Sequence, residues 1–229
     1  VPLLLIMVSI ENIFAAGAAV LAGRQLGAKD SEGASCTVTT IVGVSVLIGA
    51  VLCIGGIIFI EPLMRAFGAS DASLPLAKDY AFWMFIAALA NLPAQSMNCA
   101  ARAESSVKIS SIAVITGALL NVVLDPIFMF SWGLNMGVEG ASLATTISQF
   151  VTFFIMTWFY ASGRSIIKIK RKSFRPNRNL IKTVAVIGLP TAVIQICLSV
   201  AASLTNIAAS GLPQSDEIIA AYGVVQRLI

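Results

Sequence analysis

The chain carries an aspartate and an asparagine at helical spacing inside an almost wholly apolar stretch. Asp125 lies seven residues before Trp132, an aromatic residue typical of a membrane interface, which places Asp125 about 10 Å deep at 1.5 Å per residue. Asn121 is four residues earlier and shares its helix face. On the next helix, Thr145 lies eight residues after Gly137, about 12 Å deep by the same rise. We therefore expect a carboxylate, a carboxamide and a hydroxyl to meet at one depth.

Oxygen atoms of these three types are hard ligands that suit Na⁺, and the carboxylate could also carry a proton. Pro126 follows Asp125 and lacks an N–H, so it frees the carbonyl of Val122 as a further ligand and provides a hinge in the helix. The alternative is a structural cluster of hydrogen bonds between two helices, with Asp125 at a kink. The spacing predicts one or the other: a cation site at Asp125, Asn121 and Thr145, or a polar contact between helices.

Three further polar residues fall within predicted membrane spans. Glu11 is near the middle of its span and could attract a cation, or pair with a helix outside this sequence. Arg227 lies about nine residues into the last span and could face a cavity or neutralise a carboxylate such as Glu11. Gln149 could contact a substrate, although hydrogen bonding between helices is the alternative. We treat Glu11, Gln149 and Arg227 as candidate residues of a substrate cavity.

The sequence contains no catalytic constellation. Histidine is absent, which removes imidazole bases and histidine-ligated metal sites. The four cysteines are scattered without metal-ligand spacing, and there is neither an H-E-x-x-H motif nor a phosphate-cradling glycine loop. We therefore expect a protein that is not an enzyme and that has no cofactor and no metal other than Na⁺ at the predicted site.

The composition is that of a helical membrane protein. Hydrophobic residues make up 58% of the 229 residues and charged residues 11%, and the mean hydropathy is +0.91. Soluble domains are about half apolar and a quarter charged. Uncharged stretches at 37–60, 80–101, 140–163 and 183–215 each exceed the roughly 20 residues that cross a bilayer. The sequence predicts an all-α, polytopic fold with spans at Val1–Gly23, Thr37–Ile60, Leu74–Ala101, Val107–Phe130, Gly140–Ser162, Thr183–Ser210 and from Ile218.

Basic residues are concentrated on alternate loops. Twelve of the fifteen Lys and Arg residues lie on one predicted side, and this bias places those loops in the cytoplasm. They are Arg24, Lys29, Arg102, Lys108, Arg164, Lys168, Lys170, Arg171, Lys172, Arg175, Arg178 and Lys182. The loop 163–182 divides the chain, and it could lie on the inner membrane surface beside anionic lipid or be a solvated linker. Because the positive charge sits in these loops, we expect no nucleic-acid partner.

The segment 100–149 resembles the multidrug and toxic compound extrusion (MATE) transporters, particularly their prokaryotic drug/cation branch. The family pattern has an R-A-E-G loop, an L-N-x-x-L-D-x-x-F helix and a G-x-x-G-A-A-x-A-T helix. The matching residues are Arg102, Ala103, Glu104, Leu120, Asn121, Leu124, Asp125, Phe128, Gly137, Gly140, Ala141, Ala144 and Thr145. The chain departs from the pattern at Ser105 and Ser142, outside the predicted polar cluster.

The resemblance implies a parent protein of twelve helices in two lobes. Residues 1–162 would be the amino-terminal lobe from the end of its second helix to its sixth, without the first helix. Residues 163–182 would be the cytoplasmic linker, and 183–229 the seventh helix and the beginning of the eighth. In the family, a cation site uses an aspartate of the first helix together with residues that correspond to Asn121, Asp125 and Thr145.

The implied function is an antiporter of the cell membrane that takes in H⁺ or Na⁺ and exports amphipathic organic cations by alternating access. The full-length protein would work as a monomer among membrane lipids. A flippase of the same superfamily, which moves lipid-linked precursors, is the first alternative, and it would need a large cationic cavity. A non-transporting membrane scaffold is the second, and it would not need polar residues aligned at one depth.

Overall fold

The computed structural model describes residues 2–66, 74–130, 133–169, 174 and 177–210. Over these residues the regular structure is entirely helical. The helices are α1 (Pro2–Gly27), α2 (Ser31–Ile58), α3 (Ile60–Ala66), α4 (Leu74–Ala103), α5 (Val107–Met129), α6 (Val138–Ala161) and α7 (Arg178–Ser210). The predicted all-α class is confirmed. The predicted spans up to 210 each correspond to one long helix, and the short α3 was not predicted.

Five of the long helices are apolar and long enough to cross a membrane within the described residues: α1, α2, α5, α6 and α7. α4 is 30 residues long but more polar, and composition alone does not mark it as a span. It packs against α1, α2, α5 and α6 and buries residues along its whole length. A helix surrounded by other helices faces little lipid, so it can carry the polar residues that a lipid-facing helix cannot.

Short polar turns join α1 to α2 and α4 to α5 on the side predicted to be cytoplasmic. Between α1 and α2, Lys29 adopts a left-handed conformation with φ of 61°. Asp30 then caps α2, because its carboxylate Oδ1 accepts a 2.7 Å hydrogen bond from the Gly33 N–H. Such a tight connection keeps α1 and α2 antiparallel neighbours, and they pack along one another.

Small residues bring α7 close to α1. A methyl group added to Gly17 would collide with the main-chain carbonyl of Val184, and one added to Gly188 would collide with that of Ile13. The two contacts are reciprocal, and the pairing of 17 with 184 and of 13 with 188 shows that the helices run antiparallel. Glycine permits this approach because it has no side chain to separate the two backbones.

The beginning of the predicted linker packs on the helical bundle. Ile167 is fully buried, and its N–H donates a 3.0 Å hydrogen bond to the Glu104 carboxylate at the end of α4. The Ser165 hydroxyl donates to the same oxygen at 2.7 Å. The N–H of Lys168 donates to the hydroxyl of Ser35 on α2 at 3.0 Å. This part of the linker is therefore held against the ends of α2 and α4 before α7 begins.

Candidate functional site

Asp125, Asn121 and Thr145 meet between α5 and α6. The Asn121 amide nitrogen lies 3.2 Å from Asp125 Oδ1 and 3.3 Å from Thr145 Oγ1. The Thr145 hydroxyl donates its own proton to the Ala141 carbonyl at 2.9 Å, so it can only accept from Asn121. These distances agree with the prediction from sequence that the three side chains lie at one depth in one helix interface. We call the three residues the Asp125 cluster.

Two glycines allow α5 and α6 to approach on either side of this cluster. A Cβ added to Gly140 of α6 would lie 2.7 Å from the Phe128 carbonyl carbon of α5, tighter than van der Waals contact permits. A Cβ added to Gly117 of α5 would lie 3.3 Å from the carbonyl oxygen of Ser148 on α6 and would overlap the Thr152 hydroxyl. Asn121 spans the interface because the flanking glycines keep the two backbones close.

A cavity of about 420 Å³ lies between α1, α4, α5 and α6. Asn121 and Thr145 line it, and Asp125 is one turn beyond Asn121 along α5. The predicted residues Glu11 and Gln149 line it as well. The further polar lining residues are Asn12, Asn91, Gln95, Asn98, Ser148 and Thr152. Its size lies within the range of pockets that hold small molecules.

Glu11 is buried in the cavity wall with 8% of its surface exposed. The Asn91 side chain of α4 donates a 2.9 Å hydrogen bond to Glu11 Oε2. The predicted partner of Glu11, Arg227, lies outside the described residues, so that pairing stays a prediction. The partner that the structure provides is a neutral amide, which holds the carboxylate in place and leaves its charge uncancelled.

Sequence reasoning missed the polar face of α4. Asn91, Gln95 and Asn98 recur at i, i+4 and i+7, so all three lie on one face of the helix, and all three line the cavity. The spacing was visible in the sequence. The three residues are uncharged, and an uncharged residue does not mark a membrane helix as functional in the way that a charge does.

The predicted hinge at Pro126 lies within α5, which continues through it to Met129. Phe130 N–H still bonds to the Pro126 carbonyl at 3.2 Å. The helix therefore resumes its hydrogen bonding after the proline, and the hinge itself stays a prediction.

The described residues contain no group of three or more His, Cys, Asp or Glu side chains able to hold a metal ion. The Asp125 cluster offers instead one carboxylate with amide and hydroxyl oxygens.

Comparison with known proteins fits this arrangement of helices. The sequence model of the MatE family matches residues 1–127, more than half of the chain. The chain belongs to the MatE family. The resemblance to MATE transporters is thereby confirmed, and the protein is a multi-pass membrane protein of a class of transporters, not of enzymes.

Curated relatives in this family are multidrug export proteins. MepA of Staphylococcus aureus (strain N315) is 25% identical over 228 residues, which are 100% of this chain and 50% of MepA. MepA of Staphylococcus saprophyticus is also 25% identical with the same coverage. The chain thus spans about half the length of the curated relatives it matches.

Solved MATE structures superpose well on the chain. A MATE protein in complex with MaD3S is 27% identical, with a TM-score of 0.87 over 99% of this chain and 50% of that one. A MOP superfamily transporter from Pyrococcus furiosus, described as having a binding pocket of reversed polarity, is also 27% identical, with a TM-score of 0.85 and the same coverage. The inward-facing conformation of a multidrug resistance MATE transporter gives a TM-score of 0.80 at 28% identity, over 87% of this chain and 45% of that one.

Proposed function

We propose that the full-length protein is a cation-coupled antiporter that exports amphipathic organic cations and takes in H⁺ or Na⁺ at the Asp125 cluster. The observation that carries this proposal is the position of the Asn121 amide nitrogen between the oxygens of Asp125 and Thr145, 3.2 Å and 3.3 Å away. The Asn121 amide group lies between the two oxygens, at a position where those oxygens would also stabilise a bound cation. The polar groups of the cluster are thus already arranged around one point.

The donor set of the cluster suits either coupling ion. For Na⁺, the ligands would be the carboxylate of Asp125, the amide oxygen of Asn121 after rotation of the side chain, and the hydroxyl oxygen of Thr145, all of them hard oxygen ligands. For H⁺, the acceptor would be the Asp125 carboxylate alone. In either case the ion cancels a negative charge inside the membrane, where a lone charge is costly.

Coupling follows if the ion has different affinities for the inward-facing and outward-facing conformations. An ion shifts such an equilibrium only by this difference in affinity. In our proposal, ion binding at Asp125 changes the contact between α5 and α6 through Asn121, and Pro126 lets the outer part of α5 bend. Export of the substrate and entry of the ion would then alternate as the two lobes rock about the central cavity.

The expected substrates are small amphipathic organic cations. The curated relatives are named multidrug export proteins, and the described lining of the cavity carries a carboxylate and no Lys or Arg. We place the protein in the cell membrane as a monomer among lipids, with residues 163–182 as a cytoplasmic linker between an amino-terminal lobe (1–162) and the start of the second lobe (183–229). A flippase for anionic lipid-linked precursors would need a cationic cavity, and a scaffold would need none, so both alternatives receive less support.

The test uses the full-length protein in proteoliposomes. Export of a fluorescent organic cation is followed under an imposed H⁺ gradient or an imposed Na⁺ gradient, for wild type and Asp125→Asn. We expect one gradient to drive export, and the Asn variant to lose at least nine tenths of this gradient-driven rate while it still binds the dye. Asp79→Asn is the matched control, because Asp79 is exposed at the start of α4 and lies outside the cavity lining. Normal export by Asp125→Asn would show that Asp125 is a structural residue.

A further inference from the structure

The Glu11–Asn91 pair lies in the same cavity as the Asp125 cluster but at a different depth. Thr146, the neighbour of Thr145, donates a 2.9 Å hydrogen bond to the carbonyl of Trp83, which fixes the level of the cluster along α4. Asn91 is eight residues further along α4, about 12 Å at 1.5 Å per residue. The two carboxylates therefore occupy separate positions, and one small ion cannot bridge them.

The Glu11–Asn91 pair is also close to the middle of its helices, where the cavity is lined by neutral amides. Gln95 and Asn98 follow Asn91 on the same face of α4, and Gln149 lies opposite on α6. Among the described lining residues, Glu11 is the only one that can carry a charge. Amides can orient a ligand by hydrogen bonds, but its charge can be matched only by Glu11.

We infer that Glu11, held by Asn91, binds the positively charged group of the transported organic cation, separately from the coupling ion at Asp125. The inference rests on the proposed export function and names the group that selects its substrates. Asn91 donates to Oε2 and so fixes the orientation of the carboxylate, which presents its charge to the cavity. A monovalent cation with apolar substituents fits, because the lining of the same cavity also includes the apolar side chains of Val8 and Val114. An anion of the same shape is repelled.

The test compares two probes of nearly equal size and opposite charge, tetraphenylphosphonium and tetraphenylborate. Binding to the detergent-purified full-length protein is measured by titration calorimetry. We expect wild type to bind the phosphonium at least tenfold more tightly than the borate. Glu11→Gln, which keeps the shape and can still accept from Asn91, should weaken phosphonium binding at least tenfold and remove the preference. Glu11→Asp should retain the preference, and Glu32→Gln, which removes an exposed carboxylate at the start of α2, should bind like wild type.

A measurement on wild type covers the case in which Glu11→Gln does not fold. Dicyclohexylcarbodiimide modifies carboxyl groups in apolar surroundings, and modification of Glu11 is quantified by mass spectrometry. Saturating tetraphenylphosphonium should slow this modification at least fivefold, and tetraphenylborate should not. Equal modification with and without the phosphonium, or unchanged phosphonium affinity in a folded Glu11→Gln variant, would overturn the inference.

Asp125→Asn distinguishes this inference from the proposed function. That variant should still bind the phosphonium more tightly than the borate, because Glu11 is unchanged and its partner Asn91 lies about 12 Å along α4 from the level of the Asp125 cluster. If Glu11→Gln binds normally while Asp125→Asn loses gradient-driven export, the binding role of Glu11 is wrong and the antiporter stands. If phosphonium binding depends on Glu11 but neither gradient drives export, the antiporter is wrong and the cation site stands.

Discussion

The amide nitrogen of Asn121 on α5 lies 3.3 Å from the hydroxyl oxygen of Thr145 on α6. The hydroxyl of the next residue, Thr146, lies 2.9 Å from the Trp83 carbonyl of α4 and 2.8 Å from the Ser142 carbonyl of its own helix, so its one proton is shared between the two oxygens. Two neighbouring threonines thus connect α6 to two different helices. This pair makes it possible to separate coupling from stability in one experiment.

We predict that Thr145→Val weakens binding of the coupling ion and that Thr146→Val does not. Thr145→Val removes an oxygen ligand and leaves Asn121 with one acceptor fewer, so the ion concentration for half-maximal export should rise at least fivefold. Thr146→Val loses a partly buried hydrogen bond to α4, which costs about 1 kcal/mol of folding free energy, with no change in ion dependence. Export in proteoliposomes over a series of Na⁺ concentrations and pH values measures the first effect, and thermal unfolding in detergent the second. Equal ion dependence in the two variants would contradict a role of Thr145 in the site.

Gly140→Ala should separate α5 from α6. Its Cβ would lie 2.7 Å from the Phe128 carbonyl carbon, so one of the two backbones must move. Overpacking of this kind costs about 1–3 kcal/mol, and the displaced Asn121 should bind the ion more weakly. The control is Gly55→Ala on α2, where an added Cβ meets nothing within 4 Å. The melting temperature in detergent and the ion dependence of export are measured for both, and an unchanged Gly140→Ala protein would show that the α5–α6 contact is loose.

Loss of the Glu104 carboxylate should release the beginning of the linker. Glu104 Oε2 accepts from the Ser165 hydroxyl and the Ile167 N–H, so its loss removes an acceptor from both groups. We expect trypsin to cleave after Lys168 at least fivefold faster in Glu104→Ala than in wild type. Glu104→Gln, which keeps one acceptor oxygen, should fall between them. Mass spectrometry of timed digests gives the rates, and equal rates would mean that packing of Ile167 alone holds the segment.

The exposed pair of Glu61 and Lys78 gives a pH-dependent contact between α3 and α4. The Lys78 ammonium donates a 3.0 Å hydrogen bond to Glu61. This hydrogen bond and the positive charge of Lys78 hold the pKa of Glu61 below its ordinary value of 4.5. Because the folded pKa is depressed, the stabilisation is present above pH 4.5 and is lost as the pH falls through the lower folded value. Side-chain NMR of labelled glutamate should show the pKa of Glu61 rise toward 4.5 in Lys78→Met. An identical titration in the variant would mean that the pair does not form in solution.

The Asp125 cluster could be predicted from sequence because its geometry is mostly local. Asn121 and Asp125 share a face through helical spacing alone, and the depth of Thr145 follows from the rise per residue. The identification of Asn91 as the partner of Glu11 could not be obtained in this way. It depends on how α1 crosses α4, where the buried side chains of Ala88 and Leu92 pack against Met7.

The linker shows a second limit of sequence reasoning. Its alternation of apolar and basic residues favoured a position on the membrane surface or in solvent, yet Ile167 is fully buried against the bundle. The segment is hydrogen-bonded there to Glu104, which is 61 residues before Ser165 in the chain. A contact between segments so far apart leaves no periodic pattern, so composition reports only that the loop is basic.

The glycine contact between α1 and α7 has a consequence for how the protein is made. Roughly 170 residues separate Gly17 from Val184, and such distant contacts form late. At about 5–20 residues per second, the ribosome needs on the order of 10 to 30 s to deliver α7 after α1 has emerged. During this interval the face of α1 around Gly17 has no α7 to pack against, and it contacts lipid or another membrane protein. Substitutions at Gly17 or Gly188 should therefore lower the yield of folded protein in cells, because chains in which α7 has not packed on α1 are degraded.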